Sequence, residues 1–285
     1  MSNRDIMYHY CGIESFLSII ENSSLWLSDV IKSNDGMEYN WIKEKIIDNI
    51  EFELGLIGEK ELKAWKTWIG EGSFNNGLII IYAACFTECE DSLSQWRGYA
   101  QDGQGLAIGF SKSIIRSLDP LKGNPYTAFR FGKVFYGEKS QNNFIKKITE
   151  MNFEKLQYKG VGHVALEIDD FRDKFPFYKN PSFKEEKEWR LIMTLGDSNK
   201  RIEGKNVIFS ENAYRHSNGK LISYISMDFS RVKRDFIKEI WIGPKSKVTP
   251  MDIRNLLNKF EYYDREKGYS LDHPIKICTS KSSYC

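Results

Sequence analysis

Leu78 to Phe86 is an unbroken apolar run, entered from the glycine-rich stretch Gly70–Gly77 and leading straight into the polar cluster Thr87–Gly98. It has the length expected of a central strand, covered on both faces. A chain with such a strand must build a sheet and layers to cover it. The material is there: 285 residues at 41% hydrophobic are enough for at least one full core. Disorder, collagen and coiled coil are excluded.

The elements around that run read as an α+β chain. Ile6–Tyr10 is short, β-rich and aromatic; Ile13–Glu21 carries Phe16, Leu17, Ile19 and Ile20 at helical spacing; Asn22-Ser23-Ser24 breaks it before Leu25-Trp26-Leu27. This predicts a β-α-β opening. Asp35 and Glu38 resemble a capping box ahead of a helix, and a second helix is expected over about 59–69, so residues 38–70 read as a helical insertion. Further strands are expected at Gly105–Phe110, Arg130–Phe135, Glu188–Leu195, Lys205–Phe209, Leu221–Met227, Ile237–Ile242 and Ile275–Cys278. Helices are expected at Ser111–Leu118, Phe144–Lys155 and His163–Lys174, the last two within a second helical insertion at about 140–175, and after Thr249-Pro250, a cap followed by a first-turn proline. No repeat or linker divides the chain, so residues 1–285 read as a single α+β domain.

Charge narrows the partners. Lys+Arg 41 against Asp+Glu 39 gives a formal +2, too little to hold a duplex or an anionic membrane by overall field, although a local basic groove stays open. The five cysteines, at 11, 85, 89, 278 and 285, read as reduced thiols, and the four histidines stand singly with no metal-ligand spacing. The polar N-terminus lacks a signal-peptide core, and the longest apolar run is about half of a membrane span, so a cytoplasmic protein without a membrane partner is expected. Aromatics, at 14%, exceed what an average core requires.

That surplus collects in three polar motifs. In Tyr8-His9-Tyr10, alternation along a strand puts imidazole on one face and both tyrosines on the other; a hydrogen-bonded structural histidine is the plainer reading. Ser92–Ala100 packs serines, Gln95, Trp96, Arg97 and Tyr99 into one stretch that can stack on a planar ligand and place positive charge near phosphate, or can simply close the core over a turn. Gly103-Gln104-Gly105 after it is too short for a dinucleotide fingerprint. In Glu186-Lys187-Glu188-Trp189-Arg190, a strand would align both glutamates with Arg190 on one face and turn Trp189 to the core; close carboxylates raise one another's pKa and the arginine offsets that. A solvated strand start with a surface ion pair is the alternative.

Taken together with Leu25–Ser28, Asn34-Asp35, Glu38, Cys85–Thr87 and Ile242–Lys245, these motifs resemble, over about residues 6–260, a bacterial family catalogued as a domain of unknown function, number twenty-nine seventy-one. The opening strand with His9, the helix and the second strand look more distantly like the start of ADP-ribosyltransferases, especially the branch that modifies DNA bases. That likeness implies an ADP-ribosyltransferase-like split antiparallel or mixed sheet with helical insertions, and NAD as substrate. It makes Glu188, His9 and Tyr99 the catalytic candidates, and His9, Tyr10, Ser94, Trp96, Arg97, Tyr99, Glu186 and Arg190 the candidates for binding NAD. Glu186 and Glu188 are also similar to the Glu-x-Glu loop of arginine-modifying members, whereas no arginine stands on the first strand, so the arginine-serine-glutamate class is not matched.

Two functions follow as expectations. The first is an NAD-consuming transferase, a toxin or phage-defence effector acting on a nucleic-acid or protein acceptor. In such a reaction positive charge builds on the ribose as nicotinamide leaves, and a fixed carboxylate lowers the barrier without any metal. The second is a nucleotide-binding or sensor module on the same fold, without turnover.

Overall fold

The computed structural model describes residues 5–32, 41–49, 80–118, 128–159, 173–195, 200–217, 219–263 and 275–284. Within them the predicted opening forms as β1 (Ile6–Cys11), α1 (Ile13–Asn22) and β2 (Ser24–Asp29). Helix α1 buries Phe16, Ile19 and Ile20 and stops at Ser23, whose left-handed φ of 48° turns the chain into β2.

The apolar run becomes β3 (Ile80–Thr87), which organises one 12-stranded mixed sheet. Along one edge β3 pairs antiparallel with all of β6 (Glu188–Leu195), from Ile80↔Leu195 to Thr87↔Glu188. Its other edge is shared between two strands. Ala83 and Tyr82 pair with Ser28 and Asp29 of β2, and Thr87 pairs with Tyr8 of β1. The sheet is split there: β1 and β2 diverge from one edge of β3, and α1 joins them.

Beyond β1 lie β4 (Leu106–Ser111), β11 (Ile237–Ile242) and β12 (Lys276–Thr279), the last pair parallel. Beyond β2 lies β10 (Lys220–Asp228), flanked by β9 (Ala213–Ser217) and β8 (Ile208–Phe209), which pairs with β7 (Ile202–Glu203); β5 (Ala128–Lys133) borders β6. Strand β9, with its alternating Tyr214 and His216, carries too few apolar residues to be read from sequence.

Besides a helical stretch at 41–49, the described fold holds α2 (Leu93–Tyr99), α3 (Lys112–Ser117), α4 (Glu138–Lys159), α5 (Lys233–Phe236) and α6 (Pro250–Lys259). Thr249 caps α6 as expected, with Asp252 answering it to complete a capping box. Ser92–Ala100, which the sequence leaves open between a ligand-binding stretch and a turn, contains helix α2. A helix places Gln95 and Tyr99, four apart, on one face, with Trp96 beside Gln95 at the buried side.

The sheet is covered twice. The main core gathers Met7, Phe86, Phe110, Trp189, Leu191 and many others, while a second aromatic cluster holds Tyr8, Tyr10, Trp96 and Trp241. Alternation along β1 therefore feeds two cores rather than one core and solvent. Of the first insertion, residues 41–49 are helical and bury Ile42 and Ile46; Asp35, Glu38 and the expected helix at 59–69 lie outside the described residues. Of the second, α4 is longer than its apolar spacing suggests, and the expected helix at 163–174 lies outside the described residues except for Asp173 and Lys174, which form a turn. The two insertions meet where Thr149 donates to Asn49 Oδ1 at 3.0 Å. No described helix is long and apolar enough to cross a membrane.

Candidate active site

The split leaves a gap between β1 and β3 beyond the Tyr8↔Thr87 pair, and His9 fills it. Its Nδ1 lies 2.9 Å from the Cys85 carbonyl oxygen. A carbonyl can only accept, so Nδ1 carries the proton and Nε2 is left as the acceptor of a neutral ring. Burial pushes the His9 pKa down, the Cys85 bond only partly restores it, and the ring titrates below its ordinary range.

Opposite His9, the start of β6 is shaped by a tight turn. Pro181–Glu186 form a 3-10 segment, and Lys187, at φ 46° and ψ 45°, reverses the chain before Glu188 begins the strand. This corrects the expectation that Glu186 and Glu188 lie on one strand face. Glu186 sits in the turn, and Thr87 Oγ1 holds its carbonyl at 2.6 Å. The Glu188 amide donates to the Tyr136 hydroxyl at 3.1 Å.

The two carboxylates converge through Lys179, which motif reading does not single out. Its fully buried ammonium donates to Glu186 Oε2 at 2.5 Å and to Glu188 Oε2 at 3.2 Å. Arg190 then grips Glu188 through Nε and Nη2 and spends Nη1 on the Pro176 carbonyl, 2.7 Å away. These partners drive the two acids apart. Burial raises the Glu188 pKa, but the Arg190 charge and hydrogen bonds, Lys179 and the Cys85 thiol outweigh it, and Glu188 ends below the usual carboxylate range. For Glu186, burial and the Glu188 charge outweigh the Lys179 and Tyr99 bonds, and its pKa is raised. One acid is held as an anion and its neighbour is poised to take a proton.

Helix α2 supplies the remaining wall. Tyr99, 43% exposed at the rim, donates its hydroxyl to Glu186 Oε1 at 3.2 Å. Gln95 lies on the same helix face and is buried. Together His9, Tyr99, Glu186 and Glu188 line one cavity of about 60 Å³, with Tyr8, Tyr10, Cys85, Phe86 and Gln95 completing it. Tyr10 faces it with its hydroxyl already committed, donating to the Cys89 carbonyl at 2.9 Å and accepting from the Ser92 amide at 3.1 Å.

Four of the expected binding residues do not reach the cavity. Trp96 is fully buried against Tyr10, ring centroids 4.6 Å apart, and donates to Asp91 Oδ1 at 2.7 Å. Ser94 pairs with the Ser92 hydroxyl at 3.1 Å, and exposed Arg97 lies 5.7 Å from the Tyr284 ring. Arg190 is spent on Glu188. Each had the right chemistry, but the helical turn of α2 and the ion pair on β6 point it elsewhere. Gln95, one of the polar groups of the Ser92–Ala100 motif, lines the cavity in their place, while Lys179, which no motif singles out, binds the two acids without lining it. Among the described residues, no group of three or more His, Cys, Asp and Glu side chains could hold a metal ion.

Residues 95–191 match the family model described as protein of unknown function (DUF2971). The match is narrower than the stretch of about 6–260 that carries the resemblance in the sequence. It begins at Gln95 and ends one residue after Arg190, so it takes in Tyr99, Lys179, Glu186 and Glu188 but not His9 on β1. Neither the curated proteins nor the solved structures give a match to this chain.

Proposed function

We propose that this chain is an NAD-consuming enzyme of ADP-ribosyltransferase type, with the β1–β3 split as the mouth of its substrate site. The observation that carries the reading is that His9, Tyr99, Glu186 and Glu188, drawn from three distant stretches of sequence, line one cavity. The divergence of β1 and β2 from one edge of β3 supports the same fold reading.

The chemistry suits the two acids. As the bond between nicotinamide and ribose breaks, its electron pair leaves with the nicotinamide ring nitrogen and positive charge spreads over the sugar. Glu188, held ionised by Arg190 and Lys179, stabilises that charge without having to reorganise. The acceptor's nucleophile bonds to the ribose carbon, and its proton passes to Glu186, whose raised pKa fits a base. Tyr99 stacks on the flat leaving group, with its hydroxyl anchored on Glu186.

A second reading, a nucleotide-binding module without turnover, draws on one observation: Arg190 and Lys179 already engage both oxygens of Glu188. Nicotinamide release from NAD separates the two. The transferase reading expects release from the wild type and a loss of about 100-fold or more in Glu188→Gln, the scale of removing an electrostatic stabiliser of a transition state. Absence of release with nucleic-acid and protein acceptors present overturns it in favour of binding alone.

A further inference from the structure

We infer that Gln95 selects the ligand of this cavity, and that it selects a flat ring bearing a primary carboxamide. The inference rests on the nicotinamide-cleaving reading above and gives a specific role to a residue that the Ser92–Ala100 motif offers only as one polar group among several.

Gln95 is 7% exposed and lines the cavity from α2. Its side-chain amide makes no hydrogen bond to any described residue, and its nitrogen and oxygen are not sealed away. The other polar walls differ. His9 is tied to Cys85, Tyr8 to Glu239, Tyr10 to Cys89, and Tyr99 to Glu186. An amide in the cavity wall that bonds no protein group is free to pair with a ligand from outside the chain.

The shape of that partner follows from the amide. Gln95 presents an acceptor and a donor side by side, and a primary carboxamide is its complement, giving two parallel N–H···O bonds. A carboxylate in the same position has no hydrogen to offer the Gln95 oxygen and sets two acceptors against each other. The surrounding rings of Tyr10, Phe86 and Tyr99 suit a flat ligand. Glu186 and Glu188 in the same lining stand ready for the sugar attached to that ring.

Calorimetric titration of the full chain with nicotinamide and with nicotinic acid tests this, using wild type, Gln95→Met and Gln95→Glu. The wild type is expected to prefer nicotinamide by at least about tenfold, the scale of leaving a buried polar group unpaired. Gln95→Met, similar in size but without the amide, should bring the two ligands within about twofold, and Gln95→Glu should weaken nicotinamide and exclude nicotinic acid. Equal wild-type affinity for the two compounds overturns the inference even if neither variant folds, and so does binding of neither. Nicotinamide release from NAD with undiminished discrimination in Gln95→Met overturns the role of Gln95 and leaves the transferase reading standing. Discrimination that depends on Gln95 without any release from NAD upholds Gln95 and overturns turnover.

Discussion

Arg190 holds Glu188 by both carboxylate oxygens, Nε to Oε1 at 2.6 Å and Nη2 to Oε2 at 3.0 Å, two residues apart on one strand face and almost wholly buried. Removing the guanidinium leaves a buried anion with Lys179 as its remaining cation. Arg190→Met is expected to destabilise the fold by about 3–5 kcal/mol in urea unfolding, because the buried carboxylate loses its two-pronged partner and Lys179, shared with Glu186, compensates it only in part. Arg190→Lys should recover little of this, since an ammonium cannot reproduce the two-pronged grip.

His9 should make stability depend on pH in a defined direction. Its folded pKa lies below the ordinary imidazole value of 6.5, so as pH falls the unfolded chain takes up this proton first. The contribution is fully present above about 6.5 and is lost as pH drops toward the folded pKa. Urea midpoints measured between pH 7.5 and pH 5.5 should therefore fall for the wild type, and less so for His9→Gln. Glu188, also lowered, acts in the same sense below the ordinary range of a glutamate. Glu186, raised, acts in the opposite sense: its contribution is present at acid pH and lost as pH rises through its folded value.

Asp91 ties the last described residues of the chain to the site helix. Oδ1 accepts from Trp96 Nε1 at 2.7 Å and from Ser280 Oγ at 2.6 Å, while Oδ2 accepts from the Lys281 amide at 2.8 Å. Asp91→Ala leaves the buried Trp96 indole without its acceptor and is expected to cost about 1–3 kcal/mol in thermal unfolding. Protease cleavage near residue 280 should accelerate in the variant, because the tail loses two of its bonds.

Two glycines near the site should respond in opposite directions to alanine. A Cβ on Gly105 would stand 2.2 Å from the Cys11 carbonyl oxygen and 3.0 Å from that of Ala100, both backbone atoms. Gly105→Ala must push β1 and β4 apart and is expected to cost about 1–3 kcal/mol or more. Gly98, within α2, has nothing within 4 Å of its added Cβ, so Gly98→Ala should stabilise by about 0.5–1 kcal/mol through helix propensity. Denaturant midpoints of the two variants check both signs.

Several elements were legible because their signal is local. The apolar run of β3, the spaced Phe16, Ile19 and Ile20 of α1, and the Thr249-Pro250 start of α6 each state their structure within a few residues. Trp189 likewise turned to the core as alternation requires, packing on Phe131 at 5.3 Å. The stretch containing Trp96 leaves a turn open for a physical reason: seven residues that include a glycine carry too little periodicity to distinguish a helix from a turn. Tertiary contacts decide there, as Tyr10 pins the preceding loop and Trp96 fills the second core.

The sequence by itself determined which chemical groups were available: an imidazole on the first strand, a tyrosine after a polar cluster and two glutamates before an apolar strand. Their meeting in one cavity depends on tertiary structure: β1 and β6 flank opposite edges of β3 at its Thr87 end, which sets His9 and Glu188 on either side of that strand, and α2 adds Tyr99. Local pattern does not encode strand partners so far apart in the chain. The division of labour between the acids was also a tertiary outcome. It follows from Lys179, held in place where Gln141 of α4 donates to its carbonyl at 2.8 Å, and from the way Arg190 folds back onto Glu188. Burial and charge at a buried acid are sums over neighbours brought together by folding, and adjacent residues contribute only part of them.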